Sequence, residues 1–119
     1  MNEWIILYIL TAHFVADFVL QTTWIGLNKS KDSTVLALHC LIYTFALCVL
    51  MFPLLKGDAA QYAVLNGAIL HLPTDFISSK LSSKYHSEGR LYAFWKVIGL
   101  DQLAHYAGLF LTLPYFLPQ

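Results

Sequence analysis

The chain has 119 residues, of which 58% are hydrophobic and 12% are charged, whereas soluble domains average roughly 45–50% and 25%. So little charge excludes a disordered chain, and a formal net charge of +0 excludes the basic surface that nucleic-acid binding requires. Cys40 and Cys48 would lie about 12 Å apart along one helix, too far for a disulfide. The composition is typical of an integral-membrane protein.

Four apolar runs follow one another along the chain, and each is near the ~20 residues that cross the hydrocarbon core of a bilayer. The connections between them are rich in turn-forming and polar residues, and Asp32 is placed to cap the second helix. The pattern predicts an all-α fold, a four-helix transmembrane bundle that forms one integral-membrane domain over residues 1–119. The predicted helices span residues 4–21, 33–52, 60–78 and 94–113.

Basic residues are distributed unequally between the predicted connections. Six of the seven flank or fill the first and third connections, and only Lys56 lies in the second. Because cytoplasmic loops are enriched in Lys and Arg, we predict a multi-pass protein of the inner, cytoplasmic membrane with both termini outside. Trp4 then lies at the outer interface, and Trp24 and Trp95 lie at the inner one, as in the aromatic belts of membrane proteins.

A short pattern in the first predicted helix recurs in the third. His13-x3-Asp17 is repeated as His71-x3-Asp75, and each copy is followed directly by Phe. The next helix after each copy carries one histidine of its own. We interpret the chain as two similar helical hairpins that point the same way, related by an axis along the membrane normal.

The polar residues of each predicted helix form a stripe, because residues four apart share one helix face. All four stripes fall in the cytoplasmic half of the bilayer. An Asp near a helix centre costs about 2.5–3.5 kcal/mol, and an interhelical hydrogen bond recovers only about 0.6 kcal/mol, whereas bound Zn²⁺ contributes about 10–16 kcal/mol. We therefore predict a metal site, with the candidate ligands His13, Asp17, His39, His71, Asp75, Asp101 and His105.

Imidazole and carboxylate ligands without thiolate favour zinc or another divalent transition metal. The candidates exceed the four ligands of one tetrahedral zinc ion, so one or two ions are predicted, two being bridged by a carboxylate. Alternatively, some of the Asp residues orient the coordinating imidazoles. Gln21, Tyr43 and Gln102 share the polar faces and are predicted to support the ligands or contact substrate. Asp17 and Asp101 are the candidate catalytic residues, each as a general base.

The combined motifs resemble the domain of unknown function 3307 family, small integral-membrane proteins of bacteria and their phages. The resemblance covers nearly the whole chain. It is carried by the two His-x3-Asp pairs, Asn28-Lys29, Lys31, His39 and Asp101-Gln102-x2-His105. It implies no established activity. The membrane-embedded His and Asp pattern is similar to that of inner-membrane metal-dependent hydrolases, so the resemblance makes a metal hydrolase the leading analogy.

Three functions fit these residues. The first is a metal-dependent hydrolase that acts on a lipid or phosphoester at the cytoplasmic leaflet. The second is a non-catalytic phage or bacterial membrane factor that acts on the cell envelope. The third is a metal or proton transporter, although the outer halves of the predicted helices are almost wholly apolar. The lipid bilayer is the predicted partner, and nothing in the sequence predicts an oligomeric state.

Overall fold

The chain folds into α-helices joined by short connections. The structure, a computed structural model, describes residues 1–118, and these residues contain no β-strand. There are two π-helical segments. Val15–Val19 extends the first helix, which covers residues 3–19, and Leu65–Leu70 joins two α-helical stretches into one continuous helix over residues 59–87. The all-α prediction is confirmed, with four long helices. The α-helices are α1 (Glu3–Phe14), α2 (Thr23–Asn28), α3 (Ser33–Leu55), α4 (Ala59–Val64), α5 (His71–Ser87) and α6 (Leu91–Thr112).

Side-chain caps begin the first two long helices. Asn2 Oδ1 accepts a hydrogen bond from the amide of Ile5 at 3.0 Å, and Asp32 Oδ1 accepts one from the amide of Thr34 at 2.8 Å. Such bonds satisfy amides that have no partner within the helix, and the second confirms the predicted cap. Gly89, at φ 71°, turns the chain between α5 and α6, in a conformation that favours glycine.

The helix ends differ from the predicted ones. The polar stretch after residue 78, predicted to be a connection, is helical as far as Ser87, because Ser and Lys are compatible with a helix and the strong breaker, Gly89, comes only afterwards. The second helix likewise continues through Pro53 to Leu55, and the fourth begins at Leu91. The first helix ends at Val19, and the connection after it contains the short helix α2.

Within residues 1–118, one helical stretch is long and apolar enough to cross a membrane by length and composition, and it covers residues 33–87. A straight helix of its 55 residues would be about 80 Å long, whereas the longest dimension of the structure is 49 Å. The stretch therefore folds back on itself, at Lys56 (φ 52°). The four membrane crossings stay a prediction. The C terminus is predicted to be external, and its last residue, Gln119, lies outside the described residues.

The interior of the bundle is divided into an apolar end and a polar end. The apolar core lies toward the turn at 56–58 and includes Leu47, Met51, Tyr62, Leu109 and Leu113, each 0% exposed. The buried His and Asp residues lie at the opposite end, beside the connections that carry most of the basic residues.

The outward faces of the helices carry large apolar side chains. On α3, Leu41, Phe45 and Val49 are 66%, 72% and 56% exposed, and on α6, Leu100 and Leu103 are 65% and 63% exposed. Buried imidazoles and carboxylates therefore lie behind an exposed apolar surface. Large exposed apolar surfaces of this kind mark sites that contact a membrane, a protein partner or a ligand.

Candidate metal centre

Each of the four long helices contributes to one buried cluster of imidazoles and carboxylates. Within each His-x3-Asp pair, and between Asp101 and His105, the spacing of four places both side chains on one helix face. Asp101 is the most accessible member, with a side chain that is 10% exposed. The contributions are His13 and Asp17 from the first helix, His39 from α3, His71 and Asp75 from α5, and Asp101 and His105 from α6.

Four ligand atoms meet at the centre of the cluster, and we call them the central group. His39 Nε2 lies 3.1 Å from Asp17 Oδ1 and 3.2 Å from Asp75 Oδ2. His71 Nε2 lies 3.7 Å and 3.3 Å from the same two oxygens, and the two nitrogens are 3.2 Å apart. A tetrahedral zinc ion about 2.0–2.1 Å from each ligand keeps its ligand atoms about 3.3 Å apart. The central group has this spacing and could hold a metal ion.

Hydrogen bonds alone do not account for the central group. His39 Nε2 faces three potential acceptor atoms, yet an imidazole nitrogen carries at most one hydrogen. His71 Nε2 faces the same two carboxylate oxygens and His39 Nε2 itself, so each nitrogen can donate to only one of the three atoms that it faces. Several of the close contacts are therefore left without a hydrogen between the two atoms, and one cation at the centre would contact all four atoms.

A second set of ligand atoms adjoins the first, and we call it the outer group. It consists of Asp17, Asp101 and His105, whose ligand atoms lie within 4.8 Å of one another. His105 Nε2 is 3.2 Å from Asp101 Oδ2 and also 3.2 Å from Asp75 Oδ1. Asp17 thus belongs to both groups, and Asp75 offers one oxygen to each side. Shared carboxylates of this kind bridge pairs of ions in helix bundles.

His13, a predicted ligand, lies beside these groups, and its Nε2 is 3.5 Å from Asp17 Oδ2. Its Nδ1 is 2.8 Å from the Tyr43 hydroxyl and its Nε2 is 2.8 Å from Gln102 Oε1. Carboxylates only accept hydrogen bonds, so the Gln102 amide nitrogen must face Asp17 (3.3 Å) and Asp101 (3.0 Å). The Gln102 oxygen then accepts from His13 Nε2, and His13 Nδ1 accepts from Tyr43. Both nitrogens of His13 are engaged by protein groups.

Stacking holds the His71 ring in place. It lies between the rings of Tyr43 and His105, with centroids 4.1 Å away on each side, and within residues 1–118 its Nδ1 has no hydrogen-bond partner. Gln21, predicted to support the site, lies instead against Gly26. Its buried Oε1 has no hydrogen-bond partner in the described chain, so the structure does not bring it into the cluster.

Two further side chains that were not predicted as site residues contact the cluster. Lys29 Nζ lies 3.1 Å from Asp75 Oδ2, so an ammonium from the first connection touches the central group. Ser78 donates a hydrogen bond to Asp101 Oδ1 at 2.5 Å. The position of Lys29 in Asn28-Lys29 is the one sequence signal for its role, and Ser78 follows Asp75 at the i, i+3 spacing of a shared helix face.

The π-helical segments adjoin both His-x3-Asp pairs. Asp17 lies within Val15–Val19, and Leu65–Leu70 ends directly before His71. Pro73 has no N–H to bond the carbonyl four residues back, and the π-helical segment before it accommodates the missing bond. π-Helical turns are frequent at functional sites, and here both shape the backbone that presents ligand atoms.

Comparison with known proteins identifies the family. Residues 5–117 match the family model described as Protein of unknown function (DUF3307), and the chain belongs to this family, as its motifs indicated. No curated protein and no solved structure matches the chain. The function must therefore be argued from the cluster itself.

Proposed function

We propose that this protein is a membrane-embedded, metal-dependent hydrolase that acts on a lipid or a phosphoester near the cytoplasmic face of the membrane. The observation that carries the proposal is the spacing of the central group, with five distances between 3.1 and 3.7 Å among four buried ligand atoms. Unpaired buried charges and converging lone pairs are both costly, and a divalent cation relieves both.

The charge of the cluster favours one divalent ion. Asp17, Asp75 and Asp101 bring three negative charges, and Lys29 supplies one positive charge beside Asp75. With neutral imidazoles, two negative charges are left in a place where they are poorly solvated. One divalent ion balances them. The imidazole and carboxylate ligands favour zinc or another first-row transition metal over calcium.

The outer group favours catalysis over a purely structural role. Structural zinc sites use four protein ligands, whereas catalytic sites use three and keep one position for water or substrate. The central group offers four ligand residues and the outer group offers three. The central group would hold an organising ion, whose charge balances that of the cluster. The outer group would hold a reactive ion together with an anionic substrate, and Asp17 belongs to both groups.

A groove on the outer surface supports a lipid or phosphoester as the substrate. It lies between α5 and α6, has a volume of about 270 Å³, and has mostly apolar walls that include Ile77, Leu81 and Leu100. Ser78 and Asp101 also line it. An acyl chain suits the apolar walls, and a polar headgroup in the groove would lie next to Asp101.

The apolar outer surface supports insertion into a membrane. The four long helices, over residues 3–19, 33–55, 59–87 and 91–112, are about 25–44 Å long at 1.5 Å per residue, and a bilayer core is about 30 Å thick. We propose that all four cross it. The excess of Lys and Arg in the first and third connections then places the cluster in the cytoplasmic half.

The roles of the carboxylates follow from their accessibility. A bound ion would supply Lewis-acid polarisation of a carbonyl or phosphoryl group. Asp101 is the carboxylate that lines the groove. Its Oδ2, 3.2 Å from His105 Nε2, would be the ligand atom, which leaves Oδ1 as the first candidate for the general base. Asp17, buried between the two groups, is the second candidate. Gln102 donates to both and keeps their oxygens oriented.

Exchange of Asp101 for asparagine tests the proposal. Asp101→Asn keeps the shape of the side chain but removes the proton acceptor, so hydrolysis should fall by about 10²–10⁴-fold while part of the bound metal is kept. Gln102→Ala should have a smaller effect, because an amide orients without accepting the proton. The measurement is hydrolysis of a panel of lipids and phosphoesters, with Asp58→Asn at an exposed turn as the matched control. Full activity in Asp101→Asn would leave Asp17 as the remaining candidate base.

A non-catalytic membrane factor is the second candidate. It is favoured by the bonds that already join the helices through the cluster, from Lys29 to Asp75 and from Gln102 to Asp17. In that case Asp101→Asn should change the melting temperature alone, and removal of a buried charge can even be stabilising. A transporter is disfavoured, because the apolar core of the described residues closes the outer half of the bundle.

A further inference from the structure

A cavity lined mainly by polar residues lies outside the metal cluster, at the end of the bundle that carries most of the basic residues. It is formed by the connection around α2 and by the C-terminal half of α5, and its volume is about 480 Å³, within the roughly 300–1,000 Å³ of ligand sites. We call it the basic cavity. The lining side chains that matter here are Lys29, Lys31, Ser79, Ser82, Ser83 and His86.

The lining presents hydrogen-bond donors from two sides. Ser79, Ser82, Ser83 and His86 are spaced i, i+3, i+4 and i+7 along α5, so they share one helix face. The lysines come from the facing connection. None of the residues that line the cavity is acidic, and within the described chain the ammonium of Lys31 forms no ion pair. Such a lining suits an anion with several acceptor oxygens.

Ser79 supplies independent evidence for a ligand. Its side chain lines the cavity, the residue is only 7% exposed, and its hydroxyl has no hydrogen-bond partner in the part of the chain that the structure describes. Its neighbour Ser82 instead donates to the Ser79 carbonyl at 3.2 Å. Buried hydroxyl groups are nearly always hydrogen-bonded. The Ser79 hydroxyl is therefore available to donate a hydrogen bond to an acceptor atom of a ligand in the cavity.

We propose that the basic cavity binds a phosphate ester group, with Lys31 and Ser79 as its direct ligands. A phosphate offers several acceptor oxygens to donors on opposite walls, and lysine is a common partner of phosphate. The cavity lies at the end of the bundle where lipid headgroups would be, and Lys29 connects it to the metal cluster through Asp75. As a statement of substrate class the inference rests on the proposed hydrolase function, whereas phosphate binding itself depends on the cavity alone.

The test compares ligands that do and do not carry a phosphate. Full-length protein in a nonionic detergent is examined by native mass spectrometry for retention of phosphatidylglycerol against diacylglycerol, which lacks the phosphate. Thermal stabilisation by glycerol 3-phosphate and by inorganic phosphate forms the second arm. Phosphatidylglycerol should be retained selectively if the source is a lipid, and stabilisation by the soluble compounds should appear if the source is a soluble ester. Either result supports the proposal. If phosphatidylglycerol is not preferred to diacylglycerol and neither soluble phosphate compound stabilises the protein, the proposal is overturned.

Variants locate the binding. Lys31→Gln and Ser79→Ala should each weaken binding about tenfold, as expected for the loss of one hydrogen bond to a charged group, and Lys31→Arg should keep most of it. Lys84→Gln is the control, because Lys84 is exposed on the same helix and does not line the cavity. Equal binding by the Lys31→Gln and Lys84→Gln proteins would overturn the assignment. Metal content is measured on the same samples, so failure of the metal proposal and failure of this one are told apart.

Discussion

His13 shows how one histidine of the cluster is fixed without a metal. Gln102 must turn its amide nitrogen toward two carboxylates, which sets its oxygen as the acceptor from His13 Nε2. The remaining ring nitrogen of His13 then has the Tyr43 hydroxyl as its donor. Because the carboxylates can only accept hydrogen bonds, they fix the orientation of the Gln102 amide, and this amide in turn fixes which nitrogen of His13 donates.

Removal of the Tyr43 hydroxyl should destabilise the protein but leave the metal in place. Tyr43→Phe keeps the ring that stacks on His71, yet leaves the fully buried His13 Nδ1 without a donor, which costs about 1–3 kcal/mol. The melting temperature should fall by several degrees, and metal content should be unchanged. Tyr92→Phe is the matched control, because Tyr92 is 82% exposed. Loss of metal in Tyr43→Phe alone would place the hydroxyl among the ligands.

At the scale of the helices, the position of His71 depends on a close approach between α3 and the second π-helical segment. A Cβ at Gly67 would lie 2.0 Å from Thr44 Oγ1 and 3.0 Å from Thr44 Cα. Small residues allow such contacts between membrane helices. His39 lies on α3 and His71 follows the π-helical segment, so this contact sets the distance between the two imidazoles.

Gly67→Ala should therefore lower both stability and metal affinity. The added methyl group must push α3 and the π-helical segment apart, at a cost of about 1–3 kcal/mol. Thr44→Ala in the same chain should restore part of the loss, since it removes the nearest atom but not the backbone. Gly99→Ala is the control, because a Cβ there meets no atom within 4 Å and alanine favours a helix. Thermal unfolding and zinc titration measure both effects, and equal behaviour of the two alanine variants would refute this explanation.

The sequence predicts the presence of the long helices better than the residues at which they end. Apolar runs mark where a helix can enter a bilayer, but the helix itself continues until a residue breaks it. For this reason α5 extends through a polar stretch to Ser87. Composition also gives no sign of the two π-helical segments. Pro73 follows only the second of them, and no proline lies near the first.

The site is predictable where it depends on spacing along one helix. His-x3-Asp pairs point to one face, and the structure brings Asp17, His39, His71 and Asp75 to one point. The role of Lys29 depends on a long side chain that extends from a connection to Asp75. The hydrogen bonding of His13 depends on Gln102, which lies on another helix. Neither follows from the sequence of a single element.

At the scale of the whole molecule, the proposed membrane insertion is testable through the distribution of polar groups. Basic side chains gather beside the polar end of the bundle, and apolar ones cover its outer faces. If the first and third connections are cytoplasmic, cysteine introduced at Ser30 or Ser83 should resist an impermeant thiol reagent in intact cells, and cysteine at Asp58 should react. Cys40 and Cys48 are first replaced by alanine. The reverse labelling pattern would show the opposite membrane orientation, with the cluster in the outer leaflet.

The central claim, that the His/Asp cluster binds a metal, is tested most directly by the metal content of purified full-length protein. After purification without chelators, elemental analysis should find one to two equivalents of zinc or another first-row transition metal. His39→Ala and His71→Ala should each reduce the content by more than half, because each removes a ligand of the central group. His86→Ala, at an exposed histidine outside the cluster, should leave it unchanged. Metal content equal to that of a detergent blank, even after reconstitution with zinc, would contradict the claim.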